Sequence, residues 1–273
     1  MKPLSRSDQT DLNGRSGGAA TAMMPQINAA RLQGQALDSL TARIETATGK
    51  GLDLERLHGS FYLGVKRGFD IVVSILALAI FGLMLPALML IIKLDSPGPT
   101  FYSQDRVGLN RRRQRHGFSG NDRRKVLQPG RPFRVIKLRT MGTNAESSGP
   151  QWAKVNDVRV TRVGKFLRRS RLDEVPQFLN VLRGEMSIIG PRPERMVFVR
   201  QLEKEIPHYR DRLLVLPGIT GLAQVINGYD DSIESVRRKV ELDRTYIHKA
   251  GFRQDGSILV STVSVVLKGE GAR

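Results

Sequence analysis

The amino-acid sequence predicts a mainly helical protein with short β elements (α+β), held in one face of a membrane as a monotopic protein. Three observations indicate this class: a long uncharged apolar run with a proline inside it, later segments with apolar residues at helical spacing, and only brief strand-like alternation. We expect a disordered tail (1–60), a proline-kinked re-entrant membrane helix (61–95), and a cytoplasmic domain (96–273) with a basic insertion (111–129) and amphipathic interfacial helices.

The composition excludes several kinds of site. The 273-residue chain is long enough to bury a sizeable core, and its lack of cysteine excludes disulfides, thiol nucleophiles and thiolate metal sites. Its four histidines are scattered without the spacing of a zinc site. The formal charge of +18 indicates an anionic partner, for which nucleic acid, a membrane surface and phosphorylated substrates are the candidates.

The first sixty residues are rich in Gly, Ser, Thr, Ala and Gln and show little apolar periodicity. This composition predicts a mostly disordered tail with a short helix near Leu37–Leu57. No apolar signal region occurs in residues 1–60, and the later apolar run begins too far along the chain for a cleavable signal peptide.

The apolar run Ile71–Ile92 contains 22 residues without a charge. As a helix it would be about 33 Å long, enough to cross a hydrocarbon core. Pro86 lies inside the run and predicts a kink or break near Leu85, because proline lacks the backbone N–H of a helix interior. Basic residues flank both ends about equally, so the positive-inside rule gives no side to a straight span. We therefore favour a helix that enters, bends at Leu85-Pro86 and returns to the same face.

The domain that follows shows a strand and three helices. Residues Phe133–Leu138 predict a short strand, and Asp173–Leu182 predicts a helix with Pro176 in its first turn and Gly184 as its stop. Asp231–Lys249 predicts an amphipathic helix opened by Asp231 or Ser232. Ile258–Leu267 is too short to span a membrane and predicts a core or interfacial helix.

Two basic segments together hold twelve of the eighteen net positive charges. Arg111–Pro129 has no apolar periodicity and predicts a solvated loop that touches lipid headgroups. Arg159–Arg171 interleaves its charges with apolar residues at helical spacing, which indicates a basic face on a packed element.

The paired acids Asp173 and Glu174 directly follow that second basic segment. Nearby arginines and a helix N-terminus both favour an ionised carboxylate, which could ligate a metal, act as a general base or attack phosphorus. The pair alone is more typical of an ordinary helix start, with an N-cap Asp and a Glu in the first turn.

Two further motifs suit phosphate. In Gly190-Pro191-Arg192-Pro193 the prolines fix the backbone around Arg192, which favours a phosphate clamp as much as a turn in which Arg192 pairs with Glu185 or Glu194. Lys137 and Arg139 would share one face of the predicted strand, where they could bind an anion or simply be solvated. Pro217–Gly221 is a glycine turn suited to close backbone approach. P-loop and dinucleotide-binding glycine motifs are missing from the sequence.

These motifs in this order resemble the bacterial sugar transferase family, the monotopic polyprenol-phosphate phosphoglycosyl transferases. The run Lys165–Pro193, with Leu-Asp-Glu-Val-Pro-Gln at its centre, matches the family signature almost throughout. Phe101–Gly108, Phe133–Met141, Pro217–Gln224 and Glu241-Leu242-Asp243 also follow in family order. The resemblance extends from about Tyr62 to the C-terminus and is most similar to the exopolysaccharide-initiating hexose-1-phosphate transferases.

The resemblance implies an enzyme that transfers sugar-1-phosphate from a UDP-sugar to polyprenol (undecaprenyl) phosphate, with residues 96–273 as its catalytic domain at the inner membrane. It implies Asp173 as the nucleophile that forms an aspartyl phosphosugar, and Mg²⁺ held by Asp173 or Glu174, with Glu174 supporting the metal or accepting a proton. The implied phosphate-binding residues are Lys137, Arg139, Arg169 and Arg192. The sequence leaves open which sugar is transferred and whether the protein is a homo-oligomer.

Two other classes compete with this reading. A nucleic-acid-binding protein would explain the charge, but the few aromatic residues, the apolar run and the lack of a recognition motif argue against it. A non-catalytic basic membrane-anchored adaptor would explain the charge and the anchor, but not the acidic pair together with the Arg192 motif.

Overall fold

The structure is a computed structural model, and it describes residues 59–110, 129–147, 149, 151, 157–227 and 232–268. The predictions for the tail up to residue 58 and for most of the basic insertion lie outside these residues. Within them the chain forms helices and short strands, as the fold class predicted.

Helix α1 is the longest element and spans Ser60–Asp95, 36 residues. It begins after Gly59, whose φ of 55° suits glycine, and ends at Ser96, ahead of a Pro-Gly-Pro turn that cannot continue a helix. Among the described residues it is the one helix long and apolar enough to cross a membrane. The helix continues on both sides of Pro86. It is therefore not broken there, and the predicted kink stays a prediction.

Strands β1 (Phe101–Val107) and β2 (Pro132–Leu138) form an antiparallel hairpin. The prediction of a strand at Phe133–Leu138 is confirmed. Its register places Tyr102 opposite Lys137. Because directly opposed residues of an antiparallel pair share a face of the sheet, Tyr102 and Lys137 lie on the same side of the hairpin.

The acidic pair lies between two short helices. Helix α2 (Arg162–Arg169) is capped by the Thr161 side chain, which accepts a hydrogen bond from the Gly164 amide at 2.9 Å. A 3₁₀-helix (Leu172–Gln177) follows, and helix α3 (Phe178–Leu182) continues it. The single helix predicted for Asp173–Leu182 therefore begins as a tighter 3₁₀ segment, entered through Arg171 at a φ of 58°. Gly184 ends it at a φ of 71°, as predicted.

A second pair of strands follows. Strand β3 (Ser187–Ile189) pairs in parallel with β4 (Gly218–Thr220). Between them lie helix α4 (Met196–Glu205) and a 3₁₀-helix (Tyr209–Leu213), and helix α5 (Leu222–Ile226) comes after β4.

Two longer helices end the described chain. Helix α6 (Ile233–Lys249) begins with a capping box in which Ser232 and Ser235 bond each other's backbone, so Ser232 is the cap. Helix α7 (Phe252–Lys268) buries Ile258 in the core and leaves Val260, Val263 and Leu267 exposed. The helix predicted for Ile258–Leu267 is confirmed, and its burial of Ile258 agrees with a core role.

Helix α1 contacts the rest of the domain at both of its ends. Near its start, Arg67 donates to the carbonyl oxygens of Val181 and Leu182 at 2.7 and 3.0 Å, and Asp70 accepts from the Ile188 amide at 3.1 Å. At its end, the carboxylate of Asp95 accepts from the Val163 amide at 3.2 Å. Its second half also packs into a buried cluster made of Phe81, Leu88, Ile92, Leu138 and Leu167.

Candidate active site

Three separate parts of the chain bring charged side chains together around Glu174. Its Oε1 atom accepts hydrogen bonds from Lys137 Nζ at 2.8 Å and from Arg192 Nη2 at 2.7 Å. Lys137 comes from β2, Arg192 from the loop after β3, and Glu174 with Asp173 from the 3₁₀-helix. Four of the residues that the sequence predicted for the site therefore meet in one place.

Asn180 fixes the distance between Lys137 and Glu174. This fully buried side chain on α3 accepts from the Ile136 amide at 3.3 Å and donates to the Arg134 carbonyl at 2.8 Å. It therefore bonds one N–H and one carbonyl of β2. The 3₁₀-helix runs directly into α3. Docking α3 on β2 thus places the acidic pair beside Lys137.

The loop that carries Arg192 is held by close backbone packing. The Gly190 amide donates to the Thr220 carbonyl at 2.9 Å, and the Gly218 amide donates to the Pro191 carbonyl at 2.9 Å. A Cβ atom on Gly190, Gly218 or Gly221 would collide with backbone across this contact. The Pro217–Gly221 segment therefore makes the close backbone approach predicted for it, and its partner is the backbone of Gly190 and Pro191.

Neither of the partners suggested for Arg192 from the sequence is its hydrogen-bond partner. The guanidinium bonds Glu174, and that carboxylate raises the pKa of Arg192 above its usual value. Glu185 and Glu194 were the partners suggested because they lie close to Arg192 in the sequence. The fold instead brings in an acid eighteen residues away in sequence.

The two neighbouring carboxyl groups have opposite electrostatics. Burial would raise the pKa of Glu174, but the charges and hydrogen bonds of Arg192 and Lys137 outweigh it and hold that pKa well below its usual range. Burial and the negative charge of Glu174 raise the pKa of Asp173 to about 6. The expectation that its surroundings would favour ionisation of Asp173 is therefore wrong in direction, since desolvation and its acidic neighbour exceed the nearby cations.

The structure adds Arg168 to the site. Its Nε donates to the Thr140 hydroxyl at 3.0 Å, and its positive charge lowers the pKa of Asp173 against the effects of burial. Arg168 lies in the basic segment that the sequence singled out. What the sequence could not show is which of Arg168 and Arg169 turns inward, because that depends on how α2 docks.

Arg139 and Arg169 lie elsewhere than in the cluster around Glu174. Arg139 is buried and donates to the carbonyl of Ser96 at 2.6 Å and to that of Pro97, so it fixes the turn after α1. Arg169 is exposed in the last turn of α2. A phosphate-binding role for either residue stays a prediction.

The donors available for a metal are the carboxylates of Asp173 and Glu174. Among the described residues no group of three or more His, Asp or Glu side chains could hold a metal ion. Mg²⁺ is commonly bound through one or two carboxylates together with substrate phosphates and water. The pair therefore fits a magnesium ion that arrives with a diphosphate, and it does not fit a metal held by protein ligands alone.

This arrangement can bind an anion beside the carboxylate of Asp173. A phosphate group next to Glu174 would meet Lys137 and Arg192, which are already held in place by an acid. Arg192 keeps 32 % of its side chain exposed, and Lys137 22 %, so both can reach a ligand from solvent. A carboxylate with a pKa of about 6 is mostly ionised at neutral pH and is more basic than an ordinary aspartate.

Comparison with known proteins agrees with this chemistry. A family model described as bacterial sugar transferase matches residues 61–269. A UDP-N-acetylgalactosamine-undecaprenyl-phosphate N-acetylgalactosaminephosphotransferase of Aeromonas hydrophila is 42 % identical over 238 residues, 84 % of this chain and 52 % of that protein. A UDP-glucose:undecaprenyl-phosphate glucose-1-phosphate transferase of Caulobacter vibrioides is 37 % identical over 76 % of this chain and 71 % of its own length.

A shorter relative is matched over almost its whole length. The exopolysaccharide production protein PSS of Rhizobium leguminosarum is 35 % identical over 77 % of this chain and 98 % of that protein. The match thus spans about half of the Aeromonas protein but nearly all of the Rhizobium one. Residues 61–269, which the family model matches, contain every residue of the cluster around Glu174.

Proposed function

The chain belongs to the bacterial sugar transferase family, and from that premise we propose that it transfers sugar-1-phosphate from a UDP-sugar to undecaprenyl phosphate through an aspartyl phosphosugar intermediate. The observation that carries the proposal is the position of Asp173. It is buried beside an acid whose two cationic partners, Lys137 and Arg192, can receive the diphosphate.

In the first step an Asp173 carboxylate oxygen attacks the β-phosphorus of the UDP-sugar. The bond between that phosphorus and the bridging oxygen breaks, and the oxygen leaves with its electron pair as part of UMP. Lys137 and Arg192 bind the phosphate oxygens and offset the charge that develops on them. Arg139 and Arg169 are proposed as further phosphate contacts.

In the second step a phosphate oxygen of the polyprenol phosphate attacks the same phosphorus. The acyl phosphate bond breaks, Asp173 leaves as a carboxylate, and the product is a polyprenyl diphosphate sugar. Glu174 supports the metal, because its pKa, held well below the usual range, makes it a poor acceptor for the proton of the polyprenol phosphate. Mg²⁺ held with help from Asp173 or Glu174 would supply positive charge to the phosphates.

The contacts of α1 support a re-entrant position in the membrane. A helix that crosses a bilayer has its two ends on opposite sides. Here Arg67 and Asp70 near one end and Asp95 at the other bond the same domain. We therefore propose that both ends of α1 lie on the cytoplasmic face of the inner membrane, with its basic flanks on that side.

The remaining surface of α1 suits lipid. Many of its large apolar side chains are exposed, including those of Val72, Ile75, Leu76, Ile80, Leu83 and Leu90. An exposed apolar patch of this extent indicates a membrane or protein contact. A shallow helix of this kind would keep Asp173 near the headgroup plane, where the phosphate of the acceptor lies.

Transfer of label tests the proposal. The purified protein is incubated with Mg²⁺, undecaprenyl phosphate and UDP-sugars labelled in the sugar, starting with UDP-glucose and UDP-N-acetylgalactosamine. We expect UMP release and label in the lipid for at least one sugar, with both lost in Asp173→Asn. Absence of UMP release with every UDP-sugar would contradict the proposal and favour a non-catalytic membrane adaptor.

A further inference from the structure

We propose that Arg212 and Asp243 are positioning residues that hold Arg192 in its phosphate-binding place. This inference rests on the proposed function for the role of Arg192, but the contacts that carry it are separate from the acidic pair. Neither Arg212 nor Asp243 bonds Asp173 or Glu174 in the contacts described for them.

Arg212 links the Arg192 loop to helix α6. Its Nη2 donates to the main-chain carbonyl oxygen of Arg192 at 3.1 Å. The same guanidinium pairs with Asp243 through Nη2 at 2.7 Å and Nε at 3.0 Å, and its Nη1 donates to the Tyr209 hydroxyl at 3.0 Å. The side chains of Arg212 and Asp243 are only 3 % and 2 % exposed, so both charges are buried.

A second, partly buried cation holds the next residue of the loop. Arg106 Nη1 donates to the Pro193 carbonyl at 3.2 Å and to Glu194 at 3.3 Å, while Lys239 bonds Glu194 at 2.8 Å. Lys239 and Asp243 are four residues apart and therefore share one face of α6. The backbone of residues 192 and 193 is thus fixed from outside by two guanidinium groups.

Energetics favour a geometric role over a purely stabilising one. A buried ion pair loses the hydration of both charges, and apolar side chains of similar size often stabilise a protein as well or better. The Arg212–Asp243 pair does what an apolar pair cannot, because it donates a hydrogen bond to the Arg192 carbonyl. The side chain of Arg192 is partly exposed. The orientation of its guanidinium therefore depends on how Arg212 holds the Arg192 backbone.

The inference also gives a role to Glu241-Leu242-Asp243, which the sequence resemblance singled out without assigning a function. Leu242 is buried, and Asp243 is the counter-ion of Arg212. Asp243 therefore acts on the site through two residues, Arg212 and then Arg192.

The chain offers a matched control. Asp211 and Arg244 are the immediate neighbours of Arg212 and Asp243, and they form the reversed buried pair between the same two elements at 3.3 Å. No contact described for that pair reaches the Arg192 loop. Arg244→Gln therefore removes a buried charge of the same kind without removing the carbonyl contact.

The test is a double-mutant cycle on kcat/KM for the UDP-sugar. Asp243→Asn and Arg212→Gln are each expected to lower kcat/KM by about 10- to 100-fold, since a misplacement of about 1 Å has effects of that order. Combined with Arg192→Gln they should add little further loss, whereas Arg244→Gln should multiply with it. Multiplicative losses for the Asp243 and Arg212 variants would overturn the inference.

A second measurement needs no substrate and separates this inference from the proposed function. We expect an experimental structure of the Asp243→Asn protein to lose the Arg192–Glu174 contact of 2.7 Å while keeping Lys137–Glu174 at 2.8 Å. An unchanged Arg192–Glu174 contact would overturn the inference. Failure of the wild-type protein to release UMP would instead contradict the proposed function and leave this structural comparison decisive.

Discussion

At the scale of single residues, Asp173 and Glu174 are adjacent in the chain but have opposite shifts of pKa. Glu174 takes the hydrogen bonds of both Lys137 and Arg192, so it carries the negative charge that these cations stabilise. Asp173 is equally buried and lies beside that charge. Its carboxylate is therefore the less stable of the two, which is the property expected of a nucleophile.

The pH dependence of the reaction should report the pKa of Asp173. We expect kcat/KM to rise with pH through about 6, because the attacking group must be ionised. Glu174→Gln removes the neighbouring negative charge and should move this limb to lower pH, whereas Lys137→Met should move it to higher pH. Both variants should be slower than the wild type, so the readout is the midpoint pH of the rise in kcat/KM. The same midpoint pH in all three proteins would contradict the assignment of this ionisation to Asp173.

The same pKa predicts an effect on stability in the absence of Mg²⁺. Because folding raises the pKa of Asp173 from 3.8 to about 6, the folded protein loses stability as pH rises through that interval. At pH 8 Asp173→Asn should therefore have a larger free energy of unfolding than the wild type, by on the order of 3 kcal/mol or less, and unfold at a higher temperature. The gain should vanish near pH 4. A gain of equal size at both pH values would show that ionisation is not its cause.

Sequence reasoning found the acidic pair, Lys137 and Arg192, because each stands in a motif whose residue types suit phosphate. It missed the inward role of Arg168 and the partner of Arg192, since both depend on how distant elements dock. Arg139 shows the same limit. Arg139 was predicted to share a strand face with Lys137, but β2 ends at Leu138, and the Arg139 side chain bonds the turn after α1 instead.

At the scale of elements, helix α1 and the paired carboxylates belong to one packed unit. Ile92 at the end of α1 is buried with Leu138 of β2 and Leu167 of α2, and Leu172 and Val175 of the 3₁₀-helix pack against that cluster. The apolar run, its length and its stop at Ser96-Pro97 could be read from the sequence. The split of Asp173–Leu182 into a 3₁₀ segment and an α segment could not be read from the sequence.

Labelling of engineered cysteines tests the topology of α1. The natural chain has no cysteine, so Lys50→Cys and Asn110→Cys each introduce one thiol on either side of the helix. We expect a membrane-impermeant reagent to label both from the cytoplasmic face of inverted vesicles and neither from intact spheroplasts. Labelling of the two thiols from opposite faces would show that α1 spans the membrane.

At the scale of the whole molecule, the charge of +18 divides into parts with different surroundings. Lys137 of β2, Arg168 of α2 and Arg192 lie at or beside the paired carboxylates. Backbone hydrogen bonds close the β1–β2 hairpin next to the basic insertion. The Gly108 amide donates to the Arg131 carbonyl at 2.9 Å, and the Arg131 amide donates to the Leu109 carbonyl at 3.2 Å. Asn110 is also fixed, through its amide, to the Leu213 carbonyl at 2.7 Å.

Replacement of residues 111–128 by a short Gly-Ser linker should therefore leave the catalytic domain intact. We expect the unfolding temperature and UMP release in detergent to stay within about twofold of the wild type, because the hairpin is closed on both sides of the cut. Binding to anionic lipid vesicles should weaken at low salt, since seven basic residues are removed. Loss of UMP release in a folded variant would place the insertion in the active site.

The central claim is that Asp173 forms a covalent bond to phosphorus, and peptide mass spectrometry tests it most directly. The protein is mixed with Mg²⁺ and its UDP-sugar without acceptor lipid, quenched in acid and digested. The account predicts a mass increase of one sugar phosphate on the peptide that contains Asp173, which disappears when undecaprenyl phosphate is added and never forms in Asp173→Asn. UMP release without any adduct, or an adduct that persists in Asp173→Asn, would contradict it.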